Sequence, residues 1–133
     1  MGESISHIQL VQRILKWVES EMPECQCLCI FKDLPDAGRH DKTPSIDGFF
    51  PDVFVEDTPP TFTLIGEAKT AEDLETEHSK RQLRAFLSYL KLRPRPRLIV
   101  STPWFAVNSA KSLIAAAQRN VEATNVTISV VYC

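Results

Sequence analysis

The chain has 133 residues, enough for one domain with a modest core, and its 44% hydrophobic and 24% charged content is that of an ordinary globular protein. A formal net charge of −2 excludes a generic polyanion binder held by charge alone. No apolar run is long enough to span a membrane and no signal-peptide pattern is present, so a cytoplasmic protein without membrane contact is expected.

From Ser6 to Met22 the apolar residues Ile8, Val11, Leu15, Val18 and Met22 recur at helical spacing; Leu10, Ile14 and Trp17 widen the stripe and Pro23 ends it. This predicts an amphipathic helix with a broad buried face. Cys25 to Phe31 reads as a strand, which would put Cys25, Cys27 and Cys29 on one face. With Cys133 they make four cysteines. No secretion signal supports a disulfide framework. A thiolate metal site and small buried core residues remain, and the absence of paired CxxC knuckles favours the core.

Lys32 to Pro51 carries three prolines and two glycines and reads as a long loop. Asp52–Glu56 and Phe62–Lys69 read as strands around a Thr-Pro-Pro-Thr break. Thr70 with Asp73 resembles a capping box, and Glu72, Asp73, Glu75 and Glu77 crowd the expected start of a helix, where its dipole favours acids. That helix runs to about Leu92, where RPRPR (Arg93 to Arg97) ends it. Leu98–Ser101 is a short buried strand, Ala106–Val121 a helix with Val107, Ala110, Ile114, Ala117 and Val121 in register, and Val126–Tyr132 a last strand. The order α-β-β-β-α-β-α-β implies a single α/β domain over residues 1–133, with a mixed central sheet flanked by helices.

The stretch GEAKT (Gly66 to Thr70) places charge at the end of a strand that otherwise reads as core. If Pro59 and Pro60 centre the turn, opposed residue numbers sum to 119, and Asp52 meets Glu67 across an antiparallel pair. Their Cβ atoms would lie roughly 4.5–5.5 Å apart, and directly opposed like charges destabilise a sheet. A divalent cation between them removes that penalty, and magnesium prefers such oxygen ligands. Lys69, two residues past Glu67, points to the same side if the strand continues. Two carboxylates and one lysine suit phosphodiester hydrolysis: the metal polarises a phosphoryl oxygen, and the lysine orients water and offsets transition-state charge. A strand end reaching solvent is the bland alternative for E-x-K alone.

PD (Pro51, Asp52), fourteen residues (53–66), then EAK (Glu67, Ala68, Lys69), set in this element order, resembles the PD-(D/E)XK nuclease superfamily. The motif is short and degenerate; its order and context carry the specificity. The resemblance implies a restriction endonuclease-like α-β-β-β-α-β core with an added helix and strand. It implies Mg2+, with Mn2+ able to substitute, held by Asp52 and Glu67 with the Ala68 carbonyl, and Lys69 as catalytic lysine. It also implies that Gln82, on one helical face with Phe86, Tyr89 and Leu90, touches the site; a boundary glutamine is the alternative. Phe86 stands where the RecB-like subset has tyrosine, so that subset is not assigned. His78, one turn before Gln82, faces either the site or solvent. Glu19 and Glu21 are candidates for a further acid from the first helix, and Asp33 and Asp47 suit capping or turn roles.

Nucleic acid, DNA foremost, is the expected partner. RPRPR should lie at the opposite sheet edge, roughly 20 Å from the site by helix rise. Lys32, Arg39, His40 and Lys42 are better placed to meet phosphates, and Trp104 could stack on a base or pack in the core. The acids after GEAKT imply a homodimer or a larger protein complex as the working form. A non-catalytic protein-interaction module on the same fold, or a small α/β protein unrelated to nucleases, are the competing classes.

Overall fold

Helical stripes and alternating strands need each other here, because neither buries its apolar side alone. The computed structural model describes residues 2–21, 28–32, 42–57 and 61–133. Within them lie α1 (Gly2–Glu21), β1 (Leu28–Lys32), β2 (Val53–Asp57), β3 (Thr63–Ala68), α2 (Glu77–Leu90), β4 (Pro96–Thr102), α3 (Val107–Asn120) and β5 (Thr127–Tyr132). The α-β-β-β-α-β core, with one helix and one strand added, is the α/β fold that the sequence implies.

The strands form one sheet in chain order, β1-β2-β3-β4-β5. β1, β2 and β3 pair antiparallel, while β3, β4 and β5 pair parallel. Alternation then sorts the core. Val53, Val55, Leu64, Ile99 and Val131 meet Leu10, Val11, Ile14 and Val18 of α1. Phe54, Ile65, Leu98 and Val100 point the other way, against Leu83, Phe86 and Leu87 of α2 and Ala110 and Ile114 of α3. Gly66 permits the close approach of α1: a Cβ there would lie 2.7 Å from Ile14 Cγ2 and 3.1 Å from Val53 Cβ.

The helix after GEAKT starts later than expected. Thr70 and Asp73 do exchange bonds, Thr70 N–H to Asp73 Oδ2 at 2.9 Å and Asp73 N–H to Thr70 Oγ1 at 3.2 Å. The turn they cap is a short 3-10 turn, Asp73–Glu75, after which Thr76 becomes extended. Thr76 is the cap of α2 and accepts from Ser79 N–H at 3.1 Å. Only Glu77 of the four acids therefore lies in the first turn of α2.

The expected strand Cys25–Phe31 is seen as β1 from Leu28, with Lys32 in the strand rather than the loop. Cys25 and Cys27 lie outside the described residues, as do Asp33, Arg39 and His40. Cys133 is an exposed free thiol, not a core residue.

Candidate active site

The β2–β3 register is Val53↔Gly66, Phe54↔Ile65, Val55↔Leu64 and Glu56↔Thr63. Opposed numbers sum to 119, so Asp52 and Glu67 are the next pair. There the backbone ladder gives way to a reciprocal clasp. Asp52 N–H donates to Glu67 Oε1 at 3.0 Å, and Ala68 N–H donates to Asp52 Oδ2 at 2.8 Å. Each carboxylate thus satisfies a backbone donor of the opposite strand.

Lys69 continues the line of β3, because its N–H donates to Ser101 O of β4 at 2.9 Å. Pairing stops there: the next donor along β4 would come from Pro103, which has no N–H. Lys69 therefore shares the face of Glu67, the face covered by α2. Its ammonium lies 3.4 Å from Glu67 Oε2 and donates to Gln82 Oε1 of α2. Asp52, Glu67, Lys69 and Gln82 are all buried, with Lys69 only 5% exposed. The structure thus brings the four together at one sheet edge, with Gln82 in contact with Lys69 rather than at a boundary.

Burial above all, and then the Asp52 charge, hold the Glu67 carboxyl well above the usual carboxylate range. The Lys69 ammonium and the Asp52 N–H oppose that rise without cancelling it. Among the described residues, no three of His, Cys, Asp and Glu form a metal-binding cluster.

The first helix delivers a histidine, not an acid. His7 Nε2 lies 3.3 Å from Asp52 Oδ1. Its hydrogen bond to Asp52 raises its pKa above 6.5, against the lowering effect of burial. Glu19 and Glu21 are exposed near the other end of α1, about 18 Å further along by helix rise. The signal for His7 was legible: it lies one turn before Val11 on the buried stripe Val11, Ile14, Val18.

The remaining candidates fall into three groups. Lys32 pairs with Val53 in the ladder, one residue from Asp52. Lys42 is exposed, and Asp47 occupies a left-handed turn position with φ 52°. His78 is exposed and meets Phe49 edge-on, with ring centroids 5.4 Å apart. Trp104 is not core: it is 69% exposed, next to Phe105 at 64%, with Tyr132 also exposed at the same end of the sheet. RPRPR lies at the opposite edge, where Pro96 pairs with Thr63. It is more than a solvated turn. Arg93 pairs with Glu56, Arg95 donates to Thr61 O at 3.0 Å, and Arg97 lies over the Trp17 ring.

No family model and no curated protein sequence matches the chain. Among solved structures, the chain is similar to SfsA of Pyrococcus furiosus in complex with Ca2+, at 14% identity and a TM-score of 0.53. The match covers 94% of this chain and 57% of that one, so the chain spans little more than half the length of its structural neighbour. At this identity the likeness establishes a shared fold. No described helix is long and apolar enough to cross a membrane.

Proposed function

We propose that the chain is a magnesium-dependent nuclease of the PD-(D/E)XK type, able to use manganese, that hydrolyses phosphodiester bonds of nucleic acid, DNA foremost. The observation that carries this is the burial of Lys69 between Glu67 and Gln82, beside Asp52. A strand end with no task would leave its ammonium in water.

The residues fit a hard divalent cation. Two carboxylates converge, and one of them is held above its usual range for want of compensating positive charge. The hydroxyl of Thr102, level with Lys69 on β4, is buried without a hydrogen-bond partner. Asp52 and Glu67 would hold the cation with the Ala68 carbonyl, and water would fill the remaining positions that Mg2+ commonly leaves to it. Bound there, the ion supplies charge compensation and Lewis acidity toward a phosphoryl oxygen. Lys69 orients the attacking water and offsets developing negative charge. Gln82 fixes the lysine through Oε1, and His7 steadies Asp52 from the α1 side. The Ca2+ in the SfsA complex supports a site for a hard, oxygen-seeking ion.

A homodimer or larger complex completes the reading. The exposed Trp104, Phe105 and Tyr132 are what an interface on the same rim would cover. The same aromatics favour the second reading, a non-catalytic interaction module. Lys69→Ala and Asp52→Ala separate the two, measured by manganese calorimetry and plasmid nicking. Lys69→Ala should still take up Mn2+ but lose cleavage by at least about a hundredfold, on the scale of one lost transition-state donor. Asp52→Ala should lose both. Full cleavage by Lys69→Ala would reduce the lysine to a structural role.

A further inference from the structure

Behind the site, a cleft of about 660 Å³ opens between α2, the turn at 46–49 and the C-terminal end of α3. That volume is within the roughly 300–1,000 Å³ usual for small-ligand sites. Arg81 and Arg84 line it from α2. Neither guanidinium has an ion-pair partner among the described residues. Asp47 is the one carboxylate in the lining, so two positive groups face one negative group. The apolar part of the wall includes Phe49 and Tyr89, both half-buried.

The cleft shares its elements with the active site. Arg81 is followed by Gln82, whose Oε1 accepts from Lys69, and Phe49 lies three residues before Asp52. Residues three apart on a helix are neighbours, about 5–6 Å between Cβ atoms, so the two guanidiniums can grip one phosphodiester or two successive ones. Aromatic rings beside such a pair provide a surface for a base.

We propose that this cleft is a subsite for one unpaired nucleotide of the strand being processed. Its phosphodiester lies against Arg81 and Arg84 and its base against Phe49 and Tyr89. The nuclease reading supplies the ligand's identity; the cleft and its free arginines stand without it. A base must leave its stack to enter a concavity of this size, so the preferred substrate is single-stranded or locally opened. The α2 face also supplies positive surface that the near-neutral composition conceals.

The test is fluorescence anisotropy of a labelled single-stranded decanucleotide in Ca2+, compared with an abasic strand of equal length and a duplex. Arg81→Glu with Arg84→Glu should weaken decanucleotide binding at least about tenfold at low salt. The double variant should also flatten the log affinity against log salt slope by about 1.4, two contacts at ~0.7 each. Ala85→Trp fills the cleft but keeps both arginines. It should cost the decanucleotide at least about fivefold and leave the abasic strand unchanged. Thermal melts and Mn2+ uptake matching wild type show that both variants are folded with an intact centre. Unchanged affinity and slope in the double-Glu variant, equal binding by both strands in Ala85→Trp, or tighter binding of the duplex overturns the subsite. If the variants behave as expected but the protein neither binds Mn2+ nor cleaves, the nuclease reading fails and the cleft stands. If Mn2+ uptake and cleavage are normal but the double-Glu variant binds and cleaves like wild type, the cleft fails alone.

Discussion

Glu67→Gln tests whether the site is electrostatically incomplete without its cation. Glu67 is 2% exposed, faces Asp52, and has its carboxyl held well above the usual range. The folded state therefore binds a proton at a pH where the unfolded chain, with a carboxyl near 4.5, has released it. Stability from this group falls as pH rises above about 4.5, by up to about 1.4 kcal/mol per pH unit, until the folded-state pKa is passed. For a chain of this size that slope is roughly 3–6 °C in Tm per pH unit. Glutamine keeps the shape and removes the titration. The assay is a series of thermal melts in EDTA between pH 4.5 and 8, wild type against Glu67→Gln. Subtracting one from the other cancels most of the His7 contribution, which both proteins carry. The difference should decline with pH over the lower part of the range and level off above the folded-state pKa. Saturating Mg2+ should abolish the decline in wild type only, adding about 2.7 kcal/mol at a hundred times its Kd. Parallel melts in EDTA, with no response to Mg2+, would mean that Glu67 is comfortably ionised and no cation is required.

Three further predictions concern the elements that hold the site. Gly66→Ala should destabilise by about 1–3 kcal/mol in urea denaturation, because its Cβ would meet Ile14 Cγ2 at 2.7 Å; combined with Ile14→Ala, the total should be less than the sum of the single losses. His7→Gln should remove a contribution to stability that is full below about pH 6.5 and is lost as pH rises through the raised folded-state pKa, so melts at pH 6 should differ from wild type more than melts at pH 8.5. Asp57, held down to about 2 chiefly by the Thr61 hydroxyl, contributes above about pH 3.8 and loses that contribution as pH falls through 2. Asp57→Asn should therefore flatten the acid limb of a pH titration followed by circular dichroism, and an identical limb would dismiss the cap.

The element order and the β2–β3 register were legible because each rests on a short-range rule. Helical stripes showed three helices, and the paired prolines fixed the sum of 119 before any contact was known. What escaped was set by distance in the chain. His7 reaches Asp52 from forty-five residues away, and only its place on the stripe with Val11 and Ile14 pointed to a buried end. The start of α2 was misjudged for a local reason. Two caps, Thr70 and Thr76, stand six residues apart, and the first closes only a 3-10 turn. The basic face of α2 was hidden by composition: Lys80, Arg81 and Arg84 follow directly on the acids, so a count over the segment shows little charge of either sign.

The glutamate in GEAKT is buried because the sheet gives it backbone partners that a solvated strand end would not. Where the register would set Asp52 against Glu67, each carboxylate accepts an N–H from the facing strand, so both are oriented before any ligand arrives. Those bonds satisfy the backbone but leave the two negative charges near each other, and Lys69 alone offsets Glu67 only in part. A protein that needed the clasp only for stability could form it with one carboxylate and one neutral acceptor, without that repulsion. Keeping both acids, with a buried lysine locked against Gln82, favours a site whose missing charge comes from outside the chain. Of the two functional readings, only catalysis at a cation gives a reason for the repulsion to persist.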